Sequence, residues 1–238
     1  MGNRGSGYWD RTEPDRRPTM ADREWWVNRN NQRIGVAIAE DLDGPWQRFD
    51  RPLIDVSAGR RMVSTPTVSI RPDGKFLMAY KYVEDTGGER GGRVFHVTAL
   101  AAAPTGPFVD TGVPFIVHPT ARFACDDHVE WYQNSRYYCI AKDQQGAWSR
   151  ESRAPAGSML LFVSDEEGLV WTLARNALVI RAGEIRWSDG SRIPCRRTAD
   201  MPKLYIEDGE VKALITAVLP EDTDDSFAVI APVLPLSE

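Results

Sequence analysis

The 238-residue sequence predicts an all-β fold of the β-propeller class, and three observations lead to that prediction. A hairpin with a short polar turn occurs three times along the chain. Each unit closes with a short segment that joins a glycine to an aromatic residue. β-Branched, aromatic and turn residues dominate, so no strong amphipathic helix is predicted. Repeated four-stranded units are typical of a propeller, because each blade buries its faces against its neighbours.

The first organised segment covers residues 24–49. Within it, RIGVAIAED predicts a strand, and DGPWQRF predicts a turn followed by a short strand. Trp26 and Arg33 belong to a dense group of aromatic and hydrogen-bonding side chains. Two interpretations of this group stay open: a loop that covers the edge of a core, or one wall of a sugar-binding site. The preceding residues 1–23 are polar and lack periodicity, so we expect them to be disordered or loosely packed.

The next unit begins with the hairpin STPTVSIRPDGKFLMAYK, residues 64–81. Its turn is Asp73-Gly74, and glycine suits such a turn because it accepts positive φ without strain. A glycine-rich loop and a strand over Val94–Ala101 follow, and Gly106-Pro107-Phe108 closes the unit. These pieces predict one four-stranded sheet.

Three hairpins align with one another at their starts, which are Thr65-Pro66, Asp127-His128 and Met201-Pro202. The offsets between them are 62 and 74 residues (128 − 66 and 202 − 128), and the extra length lies in polar loops. An all-β sandwich also has short strands and Gly/Pro turns, but it gives no reason for the whole unit to repeat. The alignment therefore favours the propeller.

The repeats account for about three blades. We interpret residues 24–238 as a single, partial β-propeller domain, with its blades at residues 33–49 (the outer half of one), 64–110, 126–180 and 200–234 (most of one). A propeller generally has about four or more blades, so we expect roughly one to two to be missing at the N-terminus. Three interpretations stay open: the chain is a fragment of a longer protein, its gene model is incomplete, or it completes its ring by self-association.

Composition excludes several classes of partner. The chain is 42% hydrophobic and 26% charged, with a formal net charge of -5, as expected of a soluble globular protein. An acidic balance offers no basic patch for nucleic acid or an anionic membrane, so we expect a neutral or polar small ligand. No apolar run approaches the roughly 18 to 20 residues of a membrane helix, and the N-terminus lacks the apolar core of a signal peptide. The expected location is cytoplasmic as written, and periplasmic or secreted if the N-terminus is truncated.

The sequence gives no sign of a metal or cofactor. The three cysteines, Cys125, Cys139 and Cys195, form no CxxC pair, and we expect them to be small buried apolar residues. The acidic run at residues 221–225 lacks the spacing of an EF-hand and predicts a solvated loop. No GxSxG, Walker or HExxH motif occurs. We therefore expect neither serine-nucleophile nor zinc chemistry.

Candidate catalytic residues lie in FACDDHVEWYQNSRYYCIAKD, residues 123–143. Asp126 and Asp127 are adjacent, so in a regular strand they face opposite ways and at most one points into a central funnel. They are either a solvated pair at a strand start or include a carboxylate that acts as an acid or tunes one. Asp200 occupies the equivalent repeat position to Asp126 and Ser64, which makes it the candidate partner carboxylate.

Three further residues of this stretch are candidates for substrate binding. His128 either moves a proton near neutral pH or is a structural group. Trp131 either packs between blades or stacks on a sugar ring. Lys142, which precedes Asp143 at the end of the second strand, either contacts substrate or belongs to an ordinary surface pair.

Four segments together resemble the five-bladed β-propeller glycoside hydrolases of the family 43 and family 117 type. The likeness covers roughly residues 24–234 and is carried by QRIGVAIAEDLDGPW, STPTVSIRPDGKFLMAYK, CDDHVEWYQNSRYYCIAKD and DMPKLYIEDGEVKALITAV. In that family, acidic residues at the starts of inner strands point into a central funnel. They serve as a general base, a general acid and a third carboxylate that orients or tunes the acid.

The resemblance transfers to this chain at some positions only. The family's Glu-Asp-Pro opening corresponds to Asp126-Asp127-His128, and its Glu-Arg-Pro opening to Asp200-Met201-Pro202. Each glutamate is thus shortened to aspartate, and a misplacement of about a bond length can cost on the order of 100-fold in rate. The blade that carries the general base has no counterpart here.

The resemblance implies a glycoside hydrolase-like protein that cleaves plant or algal oligosaccharides, such as arabinofuranosyl, xylosyl or galactosyl substrates. Asp127 or Asp126 is then the general acid or the carboxylate that tunes it, and Asp200 is the third carboxylate. The alternative is a truncated or degenerate propeller that binds carbohydrate, or a partner chain, without catalysis. A propeller phosphorylase of the mannoside type is a third interpretation, but the sequence shows no convincing Arg/His clamp for phosphate.

Overall fold

The computed structural model describes residues 18–233, which form fourteen strands and two short helices. The chain divides into two compact units. The first comprises residues 18–66 and 72–113, and the second comprises residues 67–71 and 114–233. Most of the segment expected to be loose lies outside the described residues, and so do the last five residues of the predicted domain.

The first unit begins with helix α1, Arg23–Asn30, where the sequence predicted no helix. Glu24 lies in its first turn and Arg29 in its last, an arrangement that complements the helix dipole. Only Trp26 is buried along α1, and its Nε1 donates a hydrogen bond of 2.9 Å to the Met20 carbonyl. The helix escaped prediction because a single buried residue leaves no apolar stripe at helical spacing.

Two sheets follow α1. β1 (Ala37–Ile38) and β2 (Gln47–Arg48) pair as a two-stranded antiparallel sheet. A four-stranded sheet runs in the order β3-β4-β5-β6, with β3 at Arg60–Ile70, β4 at Phe76–Glu84, β5 at Val94–Ala101 and β6 at Val109–Phe115. The hairpin predicted at residues 64–81 and the strand predicted over Val94–Ala101 are confirmed.

The core of the first unit packs apolar side chains around the buried ring of Tyr80. Ile34, Val63, Met78 and Val97 pack together, and Tyr80 joins them through its ring. The Tyr80 hydroxyl donates to Asp110 at 2.9 Å and accepts from Arg60 at 2.6 Å. Burial, reinforced by the bond to Asp110, raises the pKa of Tyr80 to about 12.

The second unit contains two four-stranded sheets. The first runs in the order β7-β8-β9-β10, with β7 at Cys125–Gln133, β8 at Arg136–Asp143, β9 at Met159–Ser164 and β10 at Trp171–Ile180. Helix α2, Ser149–Ser152, lies between β8 and β9 in the chain. The second runs in the order β11-β12-β13-β14, with β11 at Glu184–Arg186, β12 at Arg192–Glu207, β13 at Glu210–Pro220 and β14 at Phe227–Pro232. This last sheet starts earlier than the predicted residue 200, because β12 extends back to form a hairpin with β11.

The two sheets of the second unit share one apolar cluster. Val129, Ile140 and Met159 come from the first sheet, and Ala199 and Leu214 come from the second. The three cysteines are buried free thiols, as predicted. Neither helix of the described chain is long and apolar enough to span a membrane.

The start of each predicted hairpin carries an unusual backbone conformation. Thr65, Asp127 and Met201 have φ angles of 49°, 33° and 50°, a region that residues other than glycine seldom adopt. The β7–β8 register shifts between Asp126 and His128, and the β12–β13 register shifts between Asp200 and Lys203. The same irregularity at the three aligned positions supports the sequence alignment of the repeats.

The turn between β12 and β13 leads to a first prediction. Asp208 and Gly209 have φ angles of 52° and 77°, which matches the type I′ turn of a two-residue hairpin. A Cβ at Gly209 meets no heavy atom within 4 Å, so a Gly209→Ala substitution costs only backbone strain. We expect a loss of about 1 kcal/mol in the free energy of unfolding, measured by urea titration.

Gly35→Ala is the matched control for that turn. A Cβ at Gly35 also meets nothing within 4 Å, but Gly35 is not among the glycines with positive φ. We expect this variant to lose no stability, because alanine restricts the unfolded chain more than glycine does. Equal losses in both variants would contradict the role of positive φ.

Candidate functional site

A cavity of about 580 Å³ lies in the second unit, among the start of β7, the end of β8 and the middle of β12. Its volume is within the range of roughly 300 to 1,000 Å³ that is usual for small-molecule sites. The charged side chains that line it are those of Asp126, Asp127, Lys142, Arg196, Arg197 and Asp200. The cavity therefore gathers the three carboxylates that the sequence predicted as catalytic.

Asp126 and Asp127 both line this cavity, which corrects the expectation that at most one of them could do so. That expectation assumed a regular strand, in which neighbouring side chains point to opposite faces. The irregularity at Asp127 breaks the alternation, since its positive φ and the register shift beside it redirect the chain. A β-bulge thus places two consecutive carboxylates at one site.

Lys142 joins Asp127 to Asp200. Its Nζ donates to Oδ2 of Asp127 at 2.6 Å and makes a second, short contact with Oδ1 of Asp200. The three side chains are largely buried, with exposed fractions of 12% for Lys142, 11% for Asp127 and 18% for Asp200. Asp127 belongs to the first sheet of the unit and Asp200 to the second, so Lys142 links the two sheets electrostatically.

The ion pairs with Asp127 and Asp200 keep Lys142 positively charged in spite of its burial. Burial by itself acts to lower the pKa of this ammonium group, because it removes the group from water. The attraction of Asp127 and Asp200 and their hydrogen bonds outweigh burial, so that the pKa of Lys142 lies above its ordinary value. Lys142 is therefore a cation at neutral pH.

The spacing of the bridged carboxylates limits the chemistry that they can perform together. Two oxygens that accept hydrogen bonds from one nitrogen lie at most about 6 Å apart. An inverting glycosidase needs about 6.5 to 9.5 Å between its acid and base, with a water in between. Here the ammonium group of Lys142 stands between Asp127 and Asp200, so this pair lacks the arrangement of an inverting acid and base.

Asp143, which follows Lys142, anchors a loop. Its residue is 1% exposed, and its carboxyl group accepts backbone hydrogen bonds from Ala147 at 2.7 Å and Trp148 at 3.0 Å. Burial raises the pKa of Asp143 although these bonds act in the opposite direction. Lys142 and Asp143 therefore do not form the surface pair that was one interpretation of the sequence.

Arg196 and Arg197 were not singled out from the sequence, yet both line the cavity. Nη1 of Arg197 lies 3.4 Å from Oδ2 of Asp200, and its side chain is 68% exposed. Arg196 contacts Asp224 at 2.9 Å and the Pro220 carbonyl. The signal that could have found them is their position three and four residues before Asp200, in the approach to an aligned hairpin start.

Two predicted substrate-binding residues on β7 are not among the residues that line this cavity. His128 is 2% exposed, and its ring centroid lies 5.3 Å from that of Phe115. Trp131 stacks on Tyr138 with 5.2 Å between ring centroids and packs against the shared apolar cluster. Their proposed contacts with a sugar stay predictions.

The other two predicted substrate-binding residues belong to the first unit. Trp26 is buried in α1. Arg33 is held by Asp55, with 2.6 Å between Nε and Oδ1, and it lines a separate cavity of about 410 Å³. Their roles also stay predictions.

Within residues 18–233, no group of three or more His, Cys, Asp or Glu side chains is arranged to hold a metal ion.

The sheets define the fold class. The chain has the fold of the β-propeller glycoside hydrolases, and it is similar to two solved structures of family 43. A GH43_1 enzyme from Xanthomonas citri, complexed with xylotriose, superposes with a TM-score of 0.53 at 14% identity, covering 83% of this chain and 60% of that one. A thermostable family 43 glycoside hydrolase gives a TM-score of 0.55 at 14% identity, covering 84% and 62%.

This chain thus spans about three fifths of the length of each of these two structures. No protein-family model and no curated protein matches the sequence. At 14% identity the similarity establishes the fold alone.

Proposed function

We propose that this protein is glycoside hydrolase-like and that its cavity accepts a plant or algal oligosaccharide. The observation that carries the proposal is the convergence of Asp126, Asp127 and Asp200 on one cavity of a propeller fold. Glycosidic bonds are cleaved by carboxyl groups that flank the scissile bond, one of which donates a proton to the leaving oxygen. Asp127 or Asp126 supplies or tunes that proton donor, and Asp200 is the third carboxylate.

The substrate class follows from the fold and from the balance of charge in the cavity. The Xanthomonas citri enzyme of similar fold is complexed with xylotriose, a neutral sugar. The cavity of this chain holds three carboxylates and three basic side chains, so its formal charges balance. A neutral, polyhydroxylated ligand suits such a site, because hydroxyl groups both donate to carboxylates and accept from lysine and arginine.

A second candidate function is carbohydrate binding without turnover. It is favoured by the ion pairs of Lys142, which engage two of the three carboxylates. In this case the bridged carboxylates would serve only to accept hydrogen bonds from sugar hydroxyls.

One experiment separates the two functions. The full chain is incubated with aryl arabinofuranosides, xylosides and galactosides and with the matching oligosaccharides, and released sugar is measured by chromatography. The same oligosaccharides are titrated by calorimetry. We expect both binding and product for at least one sugar. Binding without product would favour the second function, and neither binding nor product for any sugar would contradict both.

A further inference from the structure

We propose that Asp143 is a positioning residue: its buried carboxylate anchors the loop between β8 and β9, and the anchored loop holds Gln144 against the sugar that the cavity accepts. The inference rests on the proposed function, because it names a further contact for the same oligosaccharide. Asp143 is not among the residues that line the cavity, so it acts through the loop.

The carboxylate of Asp143 holds the first half of this loop, which comprises residues 144–158. Oδ1 accepts a hydrogen bond from the Ala147 amide at 2.7 Å, and Oδ2 accepts one from the Trp148 amide at 3.0 Å. Asp143 is 1% exposed, so water has little access to replace these bonds. Hydrogen bonds to an ionised acceptor are roughly twice as strong as neutral ones. Both oxygens of one buried carboxylate therefore serve the same loop.

The main chain of Asp143 holds the other end of the loop. Its amide donates to the Ser158 carbonyl at 2.9 Å, and its carbonyl accepts from the Gly157 amide at 2.7 Å. The side chain and the main chain of one residue thus bring the two ends of the loop together.

The loop forms part of the cavity wall. Gln144, Ala156 and Gly157 line the cavity together with Lys142. Gln144 directly follows Asp143, and the other two loop residues lie at the end that the main chain of Asp143 holds. Loosening the loop at Asp143 therefore disturbs the wall at both of its ends.

Two contacts tie the start of the loop to the segment before β7. The Gln144 amide donates to the Ala124 carbonyl at 3.0 Å. The Phe123 amide donates to Oε1 of Gln145 at 2.9 Å. β7 follows this segment directly and carries two of the cavity carboxylates. The contacts therefore set the position of Gln144 relative to those carboxylates.

Gln144 is the uncharged residue of the wall that best suits contact with a sugar. Among the described residues that line the cavity, Gln144 and Thr198 have uncharged side chains with oxygen or nitrogen atoms. Thr198 is 3% exposed, and its Oγ1 accepts a bond of 2.7 Å from the Gly183 amide. Gln144 is only partly buried. Its primary amide both donates and accepts, which matches the hydroxyl groups of a neutral sugar.

Amide hydrogen exchange of the full chain tests the anchor without any ligand. We expect the Ala147 and Trp148 amides to be protected in the wild type. In Asp143→Asn we expect at least one of them to exchange about 10-fold faster. Asparagine has the size of aspartate but a single acceptor oxygen, so one of the two amides loses its partner.

Asp165→Asn is the matched control for the anchor. Asp165 also accepts a backbone hydrogen bond, from the Gly168 amide at 3.0 Å, but it lies in an exposed turn and does not line the cavity. This variant should leave the Ala147 and Trp148 amides unchanged. Unprotected amides in the wild type would overturn the anchor, and so would unchanged exchange in a folded Asp143→Asn.

Gly146→Ala is the second variant, in case Asp143→Asn does not fold. Gly146 has a φ of 72°, and a Cβ there lies 2.8 Å from Oγ of Ser149. Alanine therefore strains the loop while Asp143 stays in place. We expect faster exchange in the loop and a weaker affinity for sugar.

Sugar binding tests whether the anchor acts through Gln144. Xylotriose, arabinotriose and galactotriose are titrated into the full chain by calorimetry, and the one that the wild type binds most tightly is the probe. We expect Gln144→Ala and Asp143→Asn each to raise Kd by about 5-fold, as the loss of one neutral hydrogen bond does. We expect the double variant to match Gln144→Ala, because residues that act through one contact are not additive.

A purely structural role for Asp143 gives different results in the same titrations. Losses that multiply to about 25-fold in the double variant would show that Asp143 does not act through Gln144. Unchanged affinity in Gln144→Ala would remove Gln144 from contact with the sugar. A loosened loop with unchanged affinity, in Asp143→Asn or in Gly146→Ala, would separate the loop from the cavity.

The two tests separate failure of this inference from failure of the proposed function. If the wild type binds none of the three sugars, the proposed function fails for them, and the assignment of Gln144 fails with it. The exchange rates of Ala147 and Trp148 still show whether Asp143 anchors the loop.

Discussion

We expect Asp127→Asn to lower the rate of the proposed glycoside hydrolysis by about 100-fold or more, with the fold intact. The carboxylate of Asp127 accepts the 2.6 Å bond from Lys142 and lines the cavity at a β-bulge. An amide in its place has no charge, so it neither balances Lys142 nor stabilises positive charge on the sugar. The measurement is kcat/KM on whichever aryl glycoside the wild type cleaves, with unfolding followed in parallel.

Asp208→Asn is the matched control for Asp127→Asn. Asp208 also has positive φ, at 52°, but it is exposed in the turn between β12 and β13. Asparagine tolerates this backbone region as well as aspartate does, so we expect an unchanged rate. A normal rate in Asp127→Asn would remove Asp127 from the catalytic set, whatever the control shows.

Leu160→Ala is expected to have the largest effect on stability, a loss of about 2 to 5 kcal/mol in the free energy of unfolding. Leu160 lies on β9 and is 0% exposed, so the truncated side chain leaves a cavity in the core of the second unit. The loss combines the transfer of apolar atoms out of the core with the cavity that remains. Urea titration of the full chain measures it.

Leu178 provides the control for Leu160, since the two leucines are register partners on adjacent strands. Leu178 is 40% exposed, and its truncation should cost less than about 1 kcal/mol. Similar losses in the two variants would indicate that burial in this sheet does not govern its stability.

The hairpins could be predicted from sequence because their signals are local. A turn such as Asp208-Gly209 selects its backbone conformation within a few residues, and the flanking apolar residues then specify two strands. Helix α1 could not be predicted in this way. Its charges suit a helix, but Trp26 alone faces a core, so periodicity gives no signal.

The three carboxylates that line the cavity were already candidates in the sequence, through the repeat that aligns Asp126 with Asp200, and their catalytic role stays a prediction. The ion pairs by which Lys142 joins Asp127 to Asp200 were not predicted, because Lys142 and Asp200 are 58 residues apart and belong to different sheets. A lysine at the end of a strand is usually exposed, and only the packing of two sheets makes this one a bridge. The bulge at Asp127 was missed for a related reason, because alternation describes a regular strand only.

Thr65, Asp127 and Met201 share a positive φ although their side chains differ in chemistry. The three positions repeat one main-chain conformation and carry a hydroxyl, a carboxylate and a thioether. The main-chain conformation at these positions therefore does not depend on which side chain the position carries. A protein built in this way can gain or lose a reactive group by a single substitution while its sheets stay as they are.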